Sequence, residues 1–163
     1  MFDKTLTDKA ETLLKICGEK HFRVATAESC TGGLIAALLT EIPGSSVVIG
    51  RSFITYSNRA KHEILNVPRE TLTEHGAVSE PVVQAMAQNT LDMTTAHLTV
   101  AVSGIAGPGG GSKEKPAGTV HMATAMEGGI VHQRHDFGDI GRTEVRLATV
   151  NAAMDMMLAR LQA

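Results

Sequence analysis

FRVATAESCTGGLIAALL, residues 22–39, carries an extended run into a glycine-closed turn and out into an apolar helix. Phe22–Ala27 has strand composition, with Val24 and Thr26 β-branched. After the turn, Leu34, Ile35, Leu38 and Leu39 recur at helical spacing. A strand that feeds a helix through a tight turn is the building unit of layered α/β folds.

Upstream of it, Leu6, Ala10, Leu13, Leu14 and Cys17 share one helical face, and Gly18 suits the C-cap of that helix. Downstream, PGSS at 43–46 is a turn and VVIGRSFITYS at 47–57 is extended. Asn58 suits the N-cap of a helix through Lys61 and Leu65 that stops before Pro68. A further helix starts near Ser79, tolerates Pro81 in its first turn and covers 83–93. HLTVAVSG (97–104) is a strand ending in a glycine-rich loop. TVHMATAM and IVHQRHDF, either side of 127–129, read as a β-hairpin. Arg142–Leu161 closes the chain as a long helix, apolar on more than one side. The alternation predicts one domain over 1–163: α/β, a three-layer α/β/α sandwich with a mixed, mostly parallel sheet and one C-terminal β-hairpin.

Composition narrows the function classes. With 43% apolar and 20% charged residues in 163, the chain can bury a real core. Aromatic residues make up 3%, with one Tyr and no Trp, so stacking platforms for single-stranded nucleic acid are lacking. A net charge of −2 argues against duplex binding. No apolar run spans a membrane and the N-terminus MFDKTLTDKA has no signal-peptide core. Two cysteines, Cys17 and Cys30, cannot build a disulfide framework, so a reduced, cytoplasmic setting is expected.

Glycine marks where the chemistry sits: seven of the 16 glycines fall in two loops, at 32, 33, 104, 107, 109, 110 and 111. In the first, Ser29 stands on the turn, and the amides of Cys30 to Gly33 open the next helix, where they could hold an oxyanion or phosphate. The plain alternative is that Ser29 or Thr31 only caps that helix. The second loop fits neither the Walker pattern nor G-x-G-x-x-G, and by itself is equally a flexible connection. A third stretch, TYSNRAK at 55–61, puts the lone tyrosine, Tyr56, at a strand end with Lys61 beyond it. A neutral lysine can serve a serine as general base. Bringing it near pH 7–8 demands about 4 kcal/mol of preference for the neutral amine, from burial or a neighbouring cation. Otherwise Lys61 is a solvated helix lysine. Cys30 is a rival nucleophile, without a motif-placed histidine to activate it. The seven histidines include no H-E-x-x-H, and His132 and His135 would face opposite sides of a strand, so no metal site is expected.

TAESCTGG, TYSNRAK and VSGIAGPGGGSKEKPAGTV, in this order, resemble the CinA C-terminal domain family, over about Leu6 to Leu158. Its free-standing members of the PncC type are nicotinamide mononucleotide (NMN) amidohydrolases. The resemblance implies an α/β/α fold and conversion of NMN to nicotinic acid mononucleotide and ammonia, a pyridine-nucleotide salvage step. It implies Ser29 as nucleophile and Lys61 as general base, with Tyr56 and Ser103 near the reacting group; Tyr56 is a third catalytic candidate, since Lys61 or Tyr56 would return a proton to departing ammonia. Glu28, Cys30, Thr31, Gly32, Gly33 and Asn58 fall at its substrate-binding positions. So do Ser103, Gly104, Gly107, Gly109, Gly110 and Arg142. Ser112, Lys113, Arg142 and the 107–111 amides compete for the phosphate. No cofactor or metal is implied, and a homodimer is expected, with Met154, Met156 and Met157 either an exposed apolar stripe or simple core.

Some relatives carry an N-terminal nucleotide-processing domain, whose activity is not expected of this sequence. One departure stands out: FGDIGRTEVR replaces the family's Gly-Asp-Arg register, displacing Asp139 while Arg142 and Arg146 still align. Two other functions fit the same residues. One is Ser–Lys hydrolysis of a different small amide. The other is a non-catalytic nucleotide-binding or regulatory module.

Overall fold

Every strand but one points the same way in the computed structural model, which describes residues 2–162. The elements in chain order are α1 (Lys4–Glu19), β1 (Val24–Glu28), α2 (Leu34–Glu41), β2 (Ile49–Ile54), α3 (Asn58–Leu65), α4 (Arg69–His75), α5 (Glu80–Asp92), β3 (Leu98–Gly104), β4 (Thr119–Met126), β5 (Gly129–Asp136) and α6 (Arg142–Gln162). A single turn of 3₁₀ helix, Ser45–Val47, precedes β2. The sheet order is β2-β1-β3-β4-β5. β1 pairs in parallel with both β2 and β3, and β4 runs antiparallel to β3 and β5. The expected three-layer sandwich with a mixed sheet and a terminal hairpin is what forms.

Burial separates the layers. The central strands β1 and β3 are buried almost throughout, whereas the edges β2 and β5 are largely exposed. Val100, Val102, Val120 and Met122 face α1, α2 and α6 in one core. The alternate residues Ala27, Ala101, Ala123 and Ala125 meet Val83, Met86 and Ala87 of α5 in the other. An alanine-lined face lets α5 lie close to the sheet, near enough for Thr99 to donate to the Ala87 carbonyl at 2.8 Å. Such a core needs no aromatic filler, which accounts for their scarcity.

Several local expectations shift. Gly18 lies inside α1, which runs on to Glu19 and is capped by Lys20, because its amide bonds Ile16 and Gly18 carbonyls. Asn58 is the first helical residue of α3. Ser57 is the N-cap, its hydroxyl accepting from the Ala60 amide at 3.0 Å. The helix α4 is additional. Met154, Met156 and Met157 are core residues, not an exposed stripe, because α6 packs on α1, α2, β3 and β4. Among the described residues no helix is long and apolar enough to cross a membrane.

Candidate active site

β1 has neighbours reached by connections leading in opposite directions, to β2 on one side and β3 on the other. Such a switch opens a crevice at the carboxyl ends of the strands. The ladders run on past β1, with the Ser29 amide donating to the Val102 carbonyl at 3.1 Å and the Thr55 amide to the Glu28 carbonyl at 2.9 Å. Ala27 pairs with Phe53 and Ala101, and His121 pairs with Ser103 and Arg134. Two residues on from Ala27 along the same face, Thr55, Ser29, Ser103, His121 and Arg134 therefore make one polar row across the sheet, on the side of α5.

Lys61 reaches this row from α3. Its Nζ lies 2.8 Å from Ser29 Oγ, 2.8 Å from the Thr55 carbonyl and 3.5 Å from the Tyr56 carbonyl. Lys61 is 1% exposed and Ser29 7%. No carboxylate among the described residues pairs with the amine. Burial pushes its pKa from 10.5 down to about 8, against a smaller opposing pull from the Cys30 thiol. A neutral amine fits these partners: two N–H bonds go to the two carbonyls, and the lone pair is left for the Ser29 hydroxyl proton. Burial likewise pushes the Cys30 thiol up to about 12, so it stays protonated at neutral pH and is no rival nucleophile.

Glu28 and Ser29 are consecutive and point to opposite faces of the sheet. Glu28 is completely buried, and its carboxylate accepts from the amides of Gly33, Ile35 and Ala36 at 3.0, 3.1 and 2.9 Å. The hydroxyls of Thr26 (3.2 Å) and Thr31 (2.5 Å) complete its shell. It caps α2 from the preceding strand, and no lone pair is left over for a ligand. The Glu28 carboxylate and the Thr31 hydroxyl are thus spent on the scaffold instead of the substrate. Gly33, at φ +99°, turns the chain into α2 where a Cβ would stand 3.0 Å from Ile54 Cδ1.

This cap also thins the expected oxyanion cradle. The Gly33 amide belongs to Glu28, and the Gly32 amide donates to the Ser29 carbonyl at 3.1 Å. The amides of Cys30 and Thr31 have no protein acceptor among the described residues. The carbonyls of the same two residues are held by Arg146, through Nε at 3.1 Å and a terminal nitrogen at 2.9 Å. In a planar trans peptide the Thr31 N–H points opposite the Cys30 carbonyl, so Arg146 aims that amide away from itself. Sequence reasoning aligned Arg146 but gave it no role, since its contacts lie more than a hundred residues away.

Tyr56 is 59% exposed, and its hydroxyl accepts from Arg142 at 2.8 Å. Another Arg142 nitrogen donates to the Gly107 carbonyl at 2.9 Å. One guanidinium thus ties the TYSNRAK stretch to the glycine-rich loop. The Tyr56 hydroxyl is engaged by Arg142, and the residue's backbone carbonyl is what borders Lys61. Displaced Asp139 lies beside Gly107, its Oδ1 3.5 Å from where a Cβ would be. Ser112 is occupied in a turn with Lys115 and Glu114, while Gly109, Gly110 and Lys113 are exposed. Ser103 stands in the row, and Gly104, the last residue of β3, lies on the opposite face against Val120. Asn58 lines a separate groove of about 500 Å³ over α3 and α4, with Arg59, His62 and Arg69. Among the described residues no group of three side chains could hold a metal ion.

A buried serine hydrogen-bonded to a buried, carboxylate-free lysine at a strand-to-helix turn defines a three-layer α/β domain equipped with a Ser–Lys pair. The sequence model of the CinA C-terminal domain matches residues 6–161, and the chain belongs to that family. A "CinA-like protein" of Akkermansia muciniphila is 56% identical over 111 residues, 68% of this chain and 27% of that protein. Another, of Parasynechococcus marenigrum, is 45% identical over 99% of this chain and 38% of its own length. The chain therefore spans well under half of these curated relatives. The crystal structure of competence/damage inducible protein CihA from Agrobacterium tumefaciens superposes with a TM-score of 0.97 at 49% identity, covering 100% of this chain and 99% of that one. A CinA superfamily protein from Escherichia coli superposes at 0.90 with 30% identity, covering 97% and 92%.

Proposed function

We propose that the chain is an amidohydrolase that deamidates NMN to nicotinic acid mononucleotide and ammonia by a Ser–Lys acyl-enzyme route. The observation that carries this is the 2.8 Å contact between Ser29 Oγ and a lysine whose burial holds it near pH 8. Neutral Lys61 takes the hydroxyl proton as Ser29 Oγ bonds to the carboxamide carbon. The tetrahedral oxyanion is met by the Cys30 and Thr31 amides, each essential donor typically contributing about 3–4 kcal/mol. Protonated Lys61 then returns its proton to the departing nitrogen, and the C–N bond breaks to give ammonia and the acyl-Ser29 ester. Water, deprotonated by Lys61, hydrolyses the ester and restores the serine. The pyridinium charge of NMN disfavours a second cation beside it and so helps keep Lys61 neutral.

Ammonia release from NMN by the wild type, Ser29→Ala and Lys61→Ala is the test. Release by the wild type that falls at least about a thousandfold in both variants supports the proposal. An inert wild type whose Tm still rises with NMN identifies a binding module instead. Turnover of other small amides but not NMN keeps the Ser–Lys chemistry and replaces the substrate.

A further inference from the structure

His121 continues the polar row beyond Ser103, and one of its ring nitrogens is unused. The residue is 8% exposed. Its Nδ1 lies 3.0 Å from Nε2 of His132 on β5, the rings stacked with centroids 5.2 Å apart. Nδ1 of His132 in turn faces Glu80, at the start of α5, 3.6 Å from Oε2. Nε2 of His121 is buried without any partner. Buried polar atoms are nearly always paired, so an orphan beside a catalytic row marks a missing ligand group.

Glu80 sets the order of protons. Its carboxylate favours a proton on His132 Nδ1, which leaves His132 Nε2 with a lone pair. That lone pair takes the Nδ1–H of His121, so His121 Nε2 carries no proton. Burial first, then the charges of His132, Arg134 and Lys115, push the His121 pKa down to about 4 against the pull of Asp136, and the ring stays neutral. A bare nitrogen accepts and cannot donate. It disfavours phosphate oxygens and favours an O–H or N–H group. It also stands two strand spacings, about 10 Å, from Ser29, so the group it meets is not the one being cleaved.

We propose that His121 Nε2 accepts a hydrogen bond from a hydroxyl of the ligand's sugar ring, which makes His121 a specificity residue of the Ser29 site. The sugar rests on the assignment of NMN above: with the carboxamide at Ser29, the donors left on NMN are its ribose hydroxyls. The bare nitrogen does not rest on it.

Imidazole ¹⁵N spectra of the free chain test the nitrogen first. An unprotonated His121 Nε2 is expected, and a protonated one overturns the proposal whatever the substrate. NMN is then titrated into the Ser29→Ala variant, where the His121 Nε2 signal should move in the direction of hydrogen-bond acceptance. If other site signals move and this one does not, the proposal is overturned while NMN stands as ligand. If no site signal moves, NMN falls, and the sugar contact with it. In steady-state kinetics, His121→Phe keeps a ring but loses the acceptor and should raise KM for NMN about tenfold with kcat within about threefold. His121→Gln, which restores an acceptor, should recover most of that loss. A fall in kcat alone, equal in both variants, overturns the contact.

Discussion

Replacing Lys61 by methionine keeps the length of the buried side chain and removes its titration. Burial moves the Lys61 pKa from 10.5 to about 8 in the folded chain. Between those values the unfolded chain holds a proton that the folded chain has given up, so folding stability rises with pH across the interval. At about 1.4 kcal/mol per pH unit, the wild type carries about 3 kcal/mol of penalty below pH 8 and sheds it by pH 10.5. The stability of Lys61→Met relative to wild type should therefore fall by about 3 kcal/mol from pH 7 to 10.5, roughly 6–12 °C in Tm for a chain of this size. The variant also loses the bonds to Ser29 and the Thr55 and Tyr56 carbonyls. That loss moves the intercept, while the slope with pH isolates the titration. Urea unfolding of both proteins at several pH values reads it directly. A difference that is flat with pH would mean that Lys61 titrates normally in the folded state, and the case for a neutral base would be lost.

Activity should follow the same group: kcat/KM climbs about tenfold per pH unit on the acid side and levels above about pH 8, measured as ammonia release across pH 6–9.5. Glu28→Gln turns one acceptor oxygen into a donor facing the amides of Gly33, Ile35 and Ala36, and should cost about 2–4 kcal/mol in urea unfolding. Gly118→Ala places a Cβ 2.5 Å from the Gly138 amide nitrogen at φ +92°, where the neighbour is backbone and cannot yield. It should lower stability by at least about 2 kcal/mol by the same assay.

Local periodicity made the layers legible. The strand at 97–104, the hairpin around 127–129 and the helix from Arg142 lie within about a residue of their observed places. The helix α4, RETLTEH, escaped because only Leu72 of its seven residues is buried, too few to print a period. Ser29 and Lys61 stand out by motif, but the burial of Lys61 is a tertiary property that arises only where α3 lies over the strand ends. Glu28 looked like a ligand contact because it sits next to Ser29. Strand alternation sends the two to opposite faces, and that separates their roles. The histidines show the same limit. His132 and His135 do part company along β5, as their spacing demands, yet the partner of His132 is His121 on the neighbouring strand. Cross-strand register decides that pairing, and no single-strand pattern contains it.

The Arg146 contact has a consequence for the order in which the chain is made. Ser29, its turn and the Glu28 cap are made ahead of Lys61, and all of them ahead of α6. Arg142 and Arg146 arrive only with α6, the last element of the described chain. A nascent chain halted before Arg142 already contains Ser29 and Lys61, but nothing to hold the Cys30 and Thr31 carbonyls or to join Tyr56 to Gly107. The proposed Ser–Lys pair therefore stands on an unbraced turn until α6 has docked.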